Sequence, residues 1–368
     1  MSSLSSRWLR ILFRRALIVA SAASISCLSE SDVVEPALES EALTAAGFGS
    51  VAWEELDGAT VSQLKNQLPL LEGRGMALVL HWKAENLDDA ERWTLVKAAL
   101  ARGIQVQPWL TLPESQGYFP NATNYAAWIK AERELLSLWR ARKLPSTALV
   151  VDMELSKDKL ARFQELTASG NPFAVAQFLN ANKNKQQYAA ATSAFRDFVN
   201  EVHALGFKVN LTTLLPLLDD YEDRDDYLRQ GFNCPIDGIA WDEVSFQIHR
   251  TIYAQSYPLT ARMVWDYGRL AKKWFPNNAG IGVGLTHAGI SSDPDIVYSD
   301  GNALRSDVEA ALAAGFAPAR IGVYSFLGMY NREPASQWFQ TARAKQPSQD
   351  LGTGLLHASI SAIDAFGN

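Results

Sequence analysis

Cysteine is nearly missing from this chain: its 368 residues hold two, Cys27 and Cys234. A disulfide framework and a Cys-rich zinc site are therefore excluded, and with Cys27 lipidated or removed, Cys234 has no partner. Histidine is almost as scarce, with five residues, none paired at ligand spacing. That disfavours a metal-dependent barrel hydrolase and implies no metal site. Nor is there a basic excess. Lys and Arg number 34 against 40 Asp and Glu, for a formal net charge of -6, which speaks against nucleic acid as a partner. No glycine-rich loop follows an early strand, so a doubly wound nucleotide-binding sheet is the weaker architecture and no cofactor is implied. What remains is 48% hydrophobic and 20% charged residues, with eleven Trp and eleven Tyr. This is globular composition that suits a neutral polysaccharide, whose sugar faces flat rings can cover. Nothing in the sequence sets an oligomeric state.

Residues 1–27 read as an export signal. Arg7, Arg10, Arg14 and Arg15 precede an apolar and small stretch, Ala16 to Ser26, which is too short for a permanent membrane anchor. Two processing outcomes fit. Ala20-Ser21-Ala22 has the small-x-small form of an ordinary cleavage site. Ser24-Ile25-Ser26-Cys27 has the form of a bacterial lipobox, with Cys27 as the lipidation point of a cell-envelope lipoprotein. Lipid at Cys27 is the one membrane contact expected. Residues 28–47 carry five acids among small residues and read as an acidic tether. Residues 48–344 form the folded domain. The tail, 345–368, is polar and then weakly apolar, able to dock on the domain or hang free.

Within the domain a helix, a terminal glycine and a β-branched strand recur as AALARGIQV, EVHALGFKV and ALAAGFAPARIGV. Gly103, Gly206 and Gly315 are placed to end those helices in the left-handed conformation. Eight strands are expected, centred on 51–53, 77–81, 104–109, 148–154, 208–213, 238–242, 281–286 and 321–325. Eight such units predict an α/β fold, a single (β/α)8 TIM barrel.

Alternation along each strand sorts the side chains. Leu149, Val151 and Met153 suit the helix-facing side, so Asp152 and Glu154 point into the lumen at the carboxyl end, where such barrels keep their active sites. The same sorting turns His81, Gln107, Trp109, Thr212, Asp242 and Tyr324 inward, with Glu243 in the loop after strand six. A long loop after strand three, Pro113 to Asn121, adds Glu114 and Tyr118. Glycosidic cleavage needs a proton donor and a negative charge or nucleophile close together. Like charge and burial can split those roles between two neighbouring carboxylates. Glu154, farther out, is the better acid. Asp152, deeper, would orient Glu154 or a substrate amide.

The run Val150-Val151-Asp152-Met153-Glu154 resembles the strand-four D-x-E ending of barrel glycosidases such as chitinases, endo-N-acetylglucosaminidases and some muramidases. In the chitinase group the resemblance implies Glu154 as general acid and Asp152 as the residue positioning an acetamido group. Of the fuller pattern D-x-x-D-x-D-x-E only the last two acids are present, with Thr147 and Val150 at the first two positions. The muramidase-like pattern adds an acid on strand six, which implies Asp242 as the third catalytic candidate. Trp109, Glu114, Tyr118, His81, Gln107, Thr212, Glu243 and Tyr324 are the substrate-binding candidates. The main reading is an exported glycosidase; the alternative is a glycan-binding lipoprotein that kept the barrel without the reaction.

Overall fold

The computed structural model describes residues 47–53, 60–287, 296–332 and 334–367. The export signal, Cys27 and the tether up to residue 46 lie outside them. Eight parallel strands close into a barrel in sequence order. They are β1 (Ser50–Trp53), β2 (Ala77–Lys83), β3 (Gln105–Thr111), β4 (Ala148–Met153), β5 (Lys208–Leu214), β6 (Glu243–Ile248), β7 (Ala279–Leu285) and β8 (Ile321–Tyr324). Closure pairs Ser50 with Gly322 and Val51 with Val323. The fold is the expected (β/α)8 barrel.

Helices surround it: α1 (Val61–Gln67), α2 (Ala90–Ala101), α3 (Tyr125–Ala141), α4 (Lys157–Ala168), α5 (Pro172–Asn182), α6 (Lys185–Ala204), α7 (Asp219–Asp223), α8 (Tyr227–Gly231), α9 (Arg250–Tyr253), α10 (Arg262–Trp274), α11 (Gly301–Ala313), α12 (Phe326–Tyr330) and α13 (Leu351–Gly367). Gly103, Gly206 and Gly315 take φ of 74°, 79° and 92°. At each, the next amide reaches back to the helix: Ile104 N to Ala99 O, Phe207 N to Val202 O, Phe316 N to Ala311 O. That bond satisfies a terminal carbonyl and aims the chain into the following strand.

The outward side chains Leu78, Leu80, Trp82, Val106, Leu110, Val151, Val209, Leu211, Phe246, Ile281 and Val283 are essentially unexposed. Each contributes ~1.5–3 kcal/mol by leaving water. The lumen is different. In this fold, layers of bulky side chains ordinarily fill the centre. Here glycines, Gly280, Gly282 and Gly322, occupy inward positions of β7 and β8. A Cβ on them would meet Glu243, His249 and Ser50 respectively, at 2.1, 3.3 and 3.0 Å. Missing side chains on two adjacent strands leave a cavity of about 120 Å³, room for several water-sized groups.

The sixth strand departs from the sequence reading. It begins at Glu243, whereas 238–242 was expected. Gly238 has φ of 71°, outside the extended range a strand needs. Ile239 and Trp241 are buried, yet in a loop, where the Trp241 indole donates to Ile236 O. Their burial mimics a strand's alternation. The real alternation follows, as Glu243-Val244-Ser245-Phe246-Gln247-Ile248-His249. The tail ends in α13, docked through Leu356 and Ile360 and tied to α5 by Asn180 Nδ2 donating to Gly367 O at 3.2 Å. No helix among the described residues is long and apolar enough to cross a membrane.

Candidate active site

Register explains how the two acids meet their partner. Asp152 lies beside Thr212, and Thr212 beside Ser245. Two residues further along, Glu154 follows β4 while Leu214 pairs with Gln247. Gln247 therefore stands at the level of Glu154, and its Nε2 donates to Glu154 Oε1 at 2.6 Å and to Asp152 Oδ1 at 2.9 Å. Both acids are buried, at 6% and 7% exposure. One neutral amide thus holds two carboxyl groups at the carboxyl end of the lumen.

The end of β4 is strapped from several sides. Asn121 Nδ2 donates to Glu154 O at 3.0 Å, and the Thr213 hydroxyl donates to Met153 O at 2.9 Å. The Cys234 thiol also faces Met153 O. Cys234 is buried and unbridged. Burial, with the nearby Glu154 and Asp152 charges, pushes that thiol upward, so it stays protonated. These bonds fix the main chain from which both carboxyl groups project, which is what a site requiring fixed geometry needs.

Asp152, Gln107, Trp109, Thr212, Glu243 and Tyr324 line the cavity with Gln247 and His249. Trp109 packs against His81 at 4.9 Å between centroids and meets Tyr324 edge-on at 6.5 Å. The Trp109 indole N–H is buried without an acceptor. His81 sits behind Trp109 and bonds Thr111 Oγ1 at 2.8 Å. Burial, then the Arg92 and Lys83 charges, hold it well below the usual imidazole range, so it is neutral. Tyr118 turns in from the loop after β3, its ring 6.1 Å from that of His81. Thr286 is bound to the main chain of Ser325.

One expected residue keeps its rim-loop place outside the cavity, and two stand elsewhere. Glu114 lies on the rim, its side chain 67% exposed and paired with Lys157. Asp242 precedes β6 rather than ending it. It sits at the amino end of the barrel, accepting from His203 Nε2 at 2.8 Å and from the Val209 amide at 2.8 Å. It is therefore remote from Asp152 and Glu154, and the strand-six position beside them, where an acid was expected, holds Gln247. Glu243 is the first residue of β6 and not part of a rim loop. It closes the lumen floor, paired with Arg320 at 2.8 Å. Sequence reasoning missed Gln247 and His249, although the unbroken polar–apolar alternation from Glu243 to His249 carries them both.

Compared with family models and with curated proteins, the chain matches none. Solved structures resemble it at the level of the barrel. The PgaB (BpsB) glycoside hydrolase domain from Bordetella bronchiseptica has a TM-score of 0.46 at 14% identity, covering 80% of this chain and 98% of its own. A GH18 chitinase from Pseudoalteromonas aurantia gives 0.46 at 12%, covering 78% and 97%. An L-ribulose 3-epimerase gives 0.44 at 14%, covering 87% and 94%. Likeness at this distance carries no argument about activity.

Proposed function

We propose that the chain is a glycoside hydrolase acting on a polysaccharide or other glycan, with Glu154 as general acid and Asp152 as its deeper partner. The observation that carries this reading is the pair itself. Two buried carboxyl groups share one amide donor at the carboxyl mouth of a barrel with an open lumen. Burial of two acids at the polar end of a strand is a poor way to add stability, and it is the arrangement that acid–base chemistry on a glycosidic bond requires. Glu154 projects from the chain just past β4, buried beside the cavity and held by the same amide as Asp152, and in this reading its proton passes to the leaving oxygen of a bound glycan. Asp152, one step down, faces the sugar from beneath. Trp109 and Tyr324 supply aromatic surface in the same cavity, and Tyr118 packs nearby against His81.

Export belongs to the same proposal: residues 1–27 direct the chain out of the cytoplasm, and Cys27 is its lipid attachment point. Mass measurement of the mature N-terminus separates a diacylated Cys27 from a plain cut after Ala22.

The test of activity is a screen of chromogenic and polymeric glycans, chitin oligomers and peptidoglycan included, with Glu154→Gln assayed beside the wild type. Turnover by the wild type and a loss of ~10²–10⁴-fold in the variant support the role. Turnover unchanged by Glu154→Gln removes it. Binding by both proteins without turnover by either would make the chain a glycan-binding barrel.

A further inference from the structure

His249 is the polar group at the mouth that the proposed reaction leaves unused. The alternation that turns Gln247 inward turns His249 inward too, one step nearer the rim. The residue is 9% exposed and lines the same cavity as Asp152. Among the described residues its ring has no hydrogen-bond partner, and it does not cap the helix it precedes. Its Nε2 lies beside Gly282 on the neighbouring strand β7, 3.3 Å from where a Cβ would stand. The missing side chain of Gly282 is what keeps the space before that nitrogen open.

Burial holds the imidazole at about 4, so at neutral pH it offers one donor and one acceptor nitrogen. A polar ring without a protein partner on a cavity wall is paired there by water or by a ligand group that displaces it. A hydroxyl, which both donates and accepts, complements a neutral imidazole. A cavity of about 120 Å³ has room for a hydroxyl or hydroxymethyl group together with water.

We infer that His249 is a binding residue that seats one hydroxyl of the sugar lying over Asp152, fixing that sugar's height and rotation relative to Glu154. This rests on the glycan reading and deepens it. The ligand it selects is neutral at that point and carries a free hydroxyl directed down into the barrel.

The test uses the full chain carrying Glu154→Gln to stop turnover, with chitin oligosaccharides and soluble peptidoglycan fragments as probes in calorimetry. His249→Phe keeps the ring's volume and removes its hydrogen bonds. It should leave the melting temperature unchanged or higher while Kd rises at least tenfold, and His249→Gln should recover part of the loss. In parallel, the His249 ring nitrogens of the Glu154→Gln chain, labelled with ¹⁵N, should shift on adding the same probes. That readout stands even if a variant folds poorly. Equal Kd for His249→Phe and its parent, or ring signals unmoved by a probe that binds, overturns the inference and leaves the glycan reading intact. No binding and no wild-type turnover on any probe overturns the glycan reading, and this one with it.

Discussion

Two pairs of acids stand at opposite ends of one lumen, and their partners differ in kind. At the amino end Asp242 takes the His203 imidazole and a backbone amide, while Glu243 takes the Arg320 guanidinium. Those partners tie the starts of β5, β6 and β8 together. At the carboxyl end Asp152 and Glu154 share the Gln247 amide, a donor that orients two carboxyl groups without adding a charge. The floor arrangement is what a carboxylate needs to be structural; the mouth arrangement leaves Asp152 on the cavity wall with Glu154 buried beside it on the same amide. In this architecture the carboxyl face hosts chemistry and the amino face stability. An acid's neighbours in sequence say little about which it serves. Its partners say more.

The sharpest way to break the comparison is to neutralise one acid from each end. Glu154→Gln should cost ~10²–10⁴-fold in turnover with little change in melting temperature. Asp242→Asn should keep turnover and lower the melting temperature, because it weakens the bonds to His203 and Val209. Equal losses of turnover in the two variants would erase the distinction between mouth and floor.

A third acid has neither sort of partner. Glu132 on α3 is 1% exposed, and neither carboxyl oxygen has a hydrogen bond. Burial raises it from 4.5 to about 8. The folded chain therefore holds a proton that the unfolded chain releases, and stability falls as pH rises from about 4.5 toward about 8. Glu132→Leu removes that dependence. Its stability relative to wild type should grow by ~2–4 kcal/mol between pH 4 and pH 8, read from denaturant midpoints at the two pH values. A difference that stays flat with pH would show that Glu132 finds a partner in solution.

Much of the barrel is legible because two signals coincide: glycines at three helix ends, and apolar residues at every second strand position. Leu149, Val151 and Met153 face the helices, so the inward direction of Asp152 and Glu154 follows from one strand's own alternation. Strand six defeats the same logic. Ile239 and Trp241 alternate and are buried, but as loop residues packed on helices, while the alternation from Glu243 to His249 carries polar residues strong enough to read as a loop. Placing that strand five residues early sent Asp242 to the mouth and hid Gln247. The donor shared by two acids is a register effect across β4, β5 and β6, and no single segment contains it. The glycine wall of β7 and β8 is visible in sequence only as scattered glycines. Its consequence, an open lumen, depends on two neighbouring strands turning them to the same space.

Gln247 tests the mouth from its other side. Gln247→Leu keeps volume and removes the shared donor, so both acids lose their orientation while remaining chemically intact. Turnover should fall ~10–100-fold, because the loss falls on positioning rather than on the reacting group. The fall should appear in kcat more than in KM. A loss confined to KM would make Gln247 a substrate contact.

Arg320→Met is the matching change at the floor and the smallest expected effect. Glu243 is raised by burial and pulled back down by Arg320. Without the guanidinium the upward push is unopposed, so the folded chain holds the Glu243 proton more firmly than the unfolded chain does. The loss of stability should therefore be least near pH 4 and grow as pH rises through and above the usual carboxylate range. The Arg320 side chain is 36% exposed, and water screens part of the pairing, so ~1–2 kcal/mol at pH 7 is expected rather than the full cost of a buried pair. Turnover should be unchanged. Glu243 does line the same cavity as Asp152, so a fall in turnover with an unchanged melting temperature would mean that the floor acid acts on the ligand through the lumen.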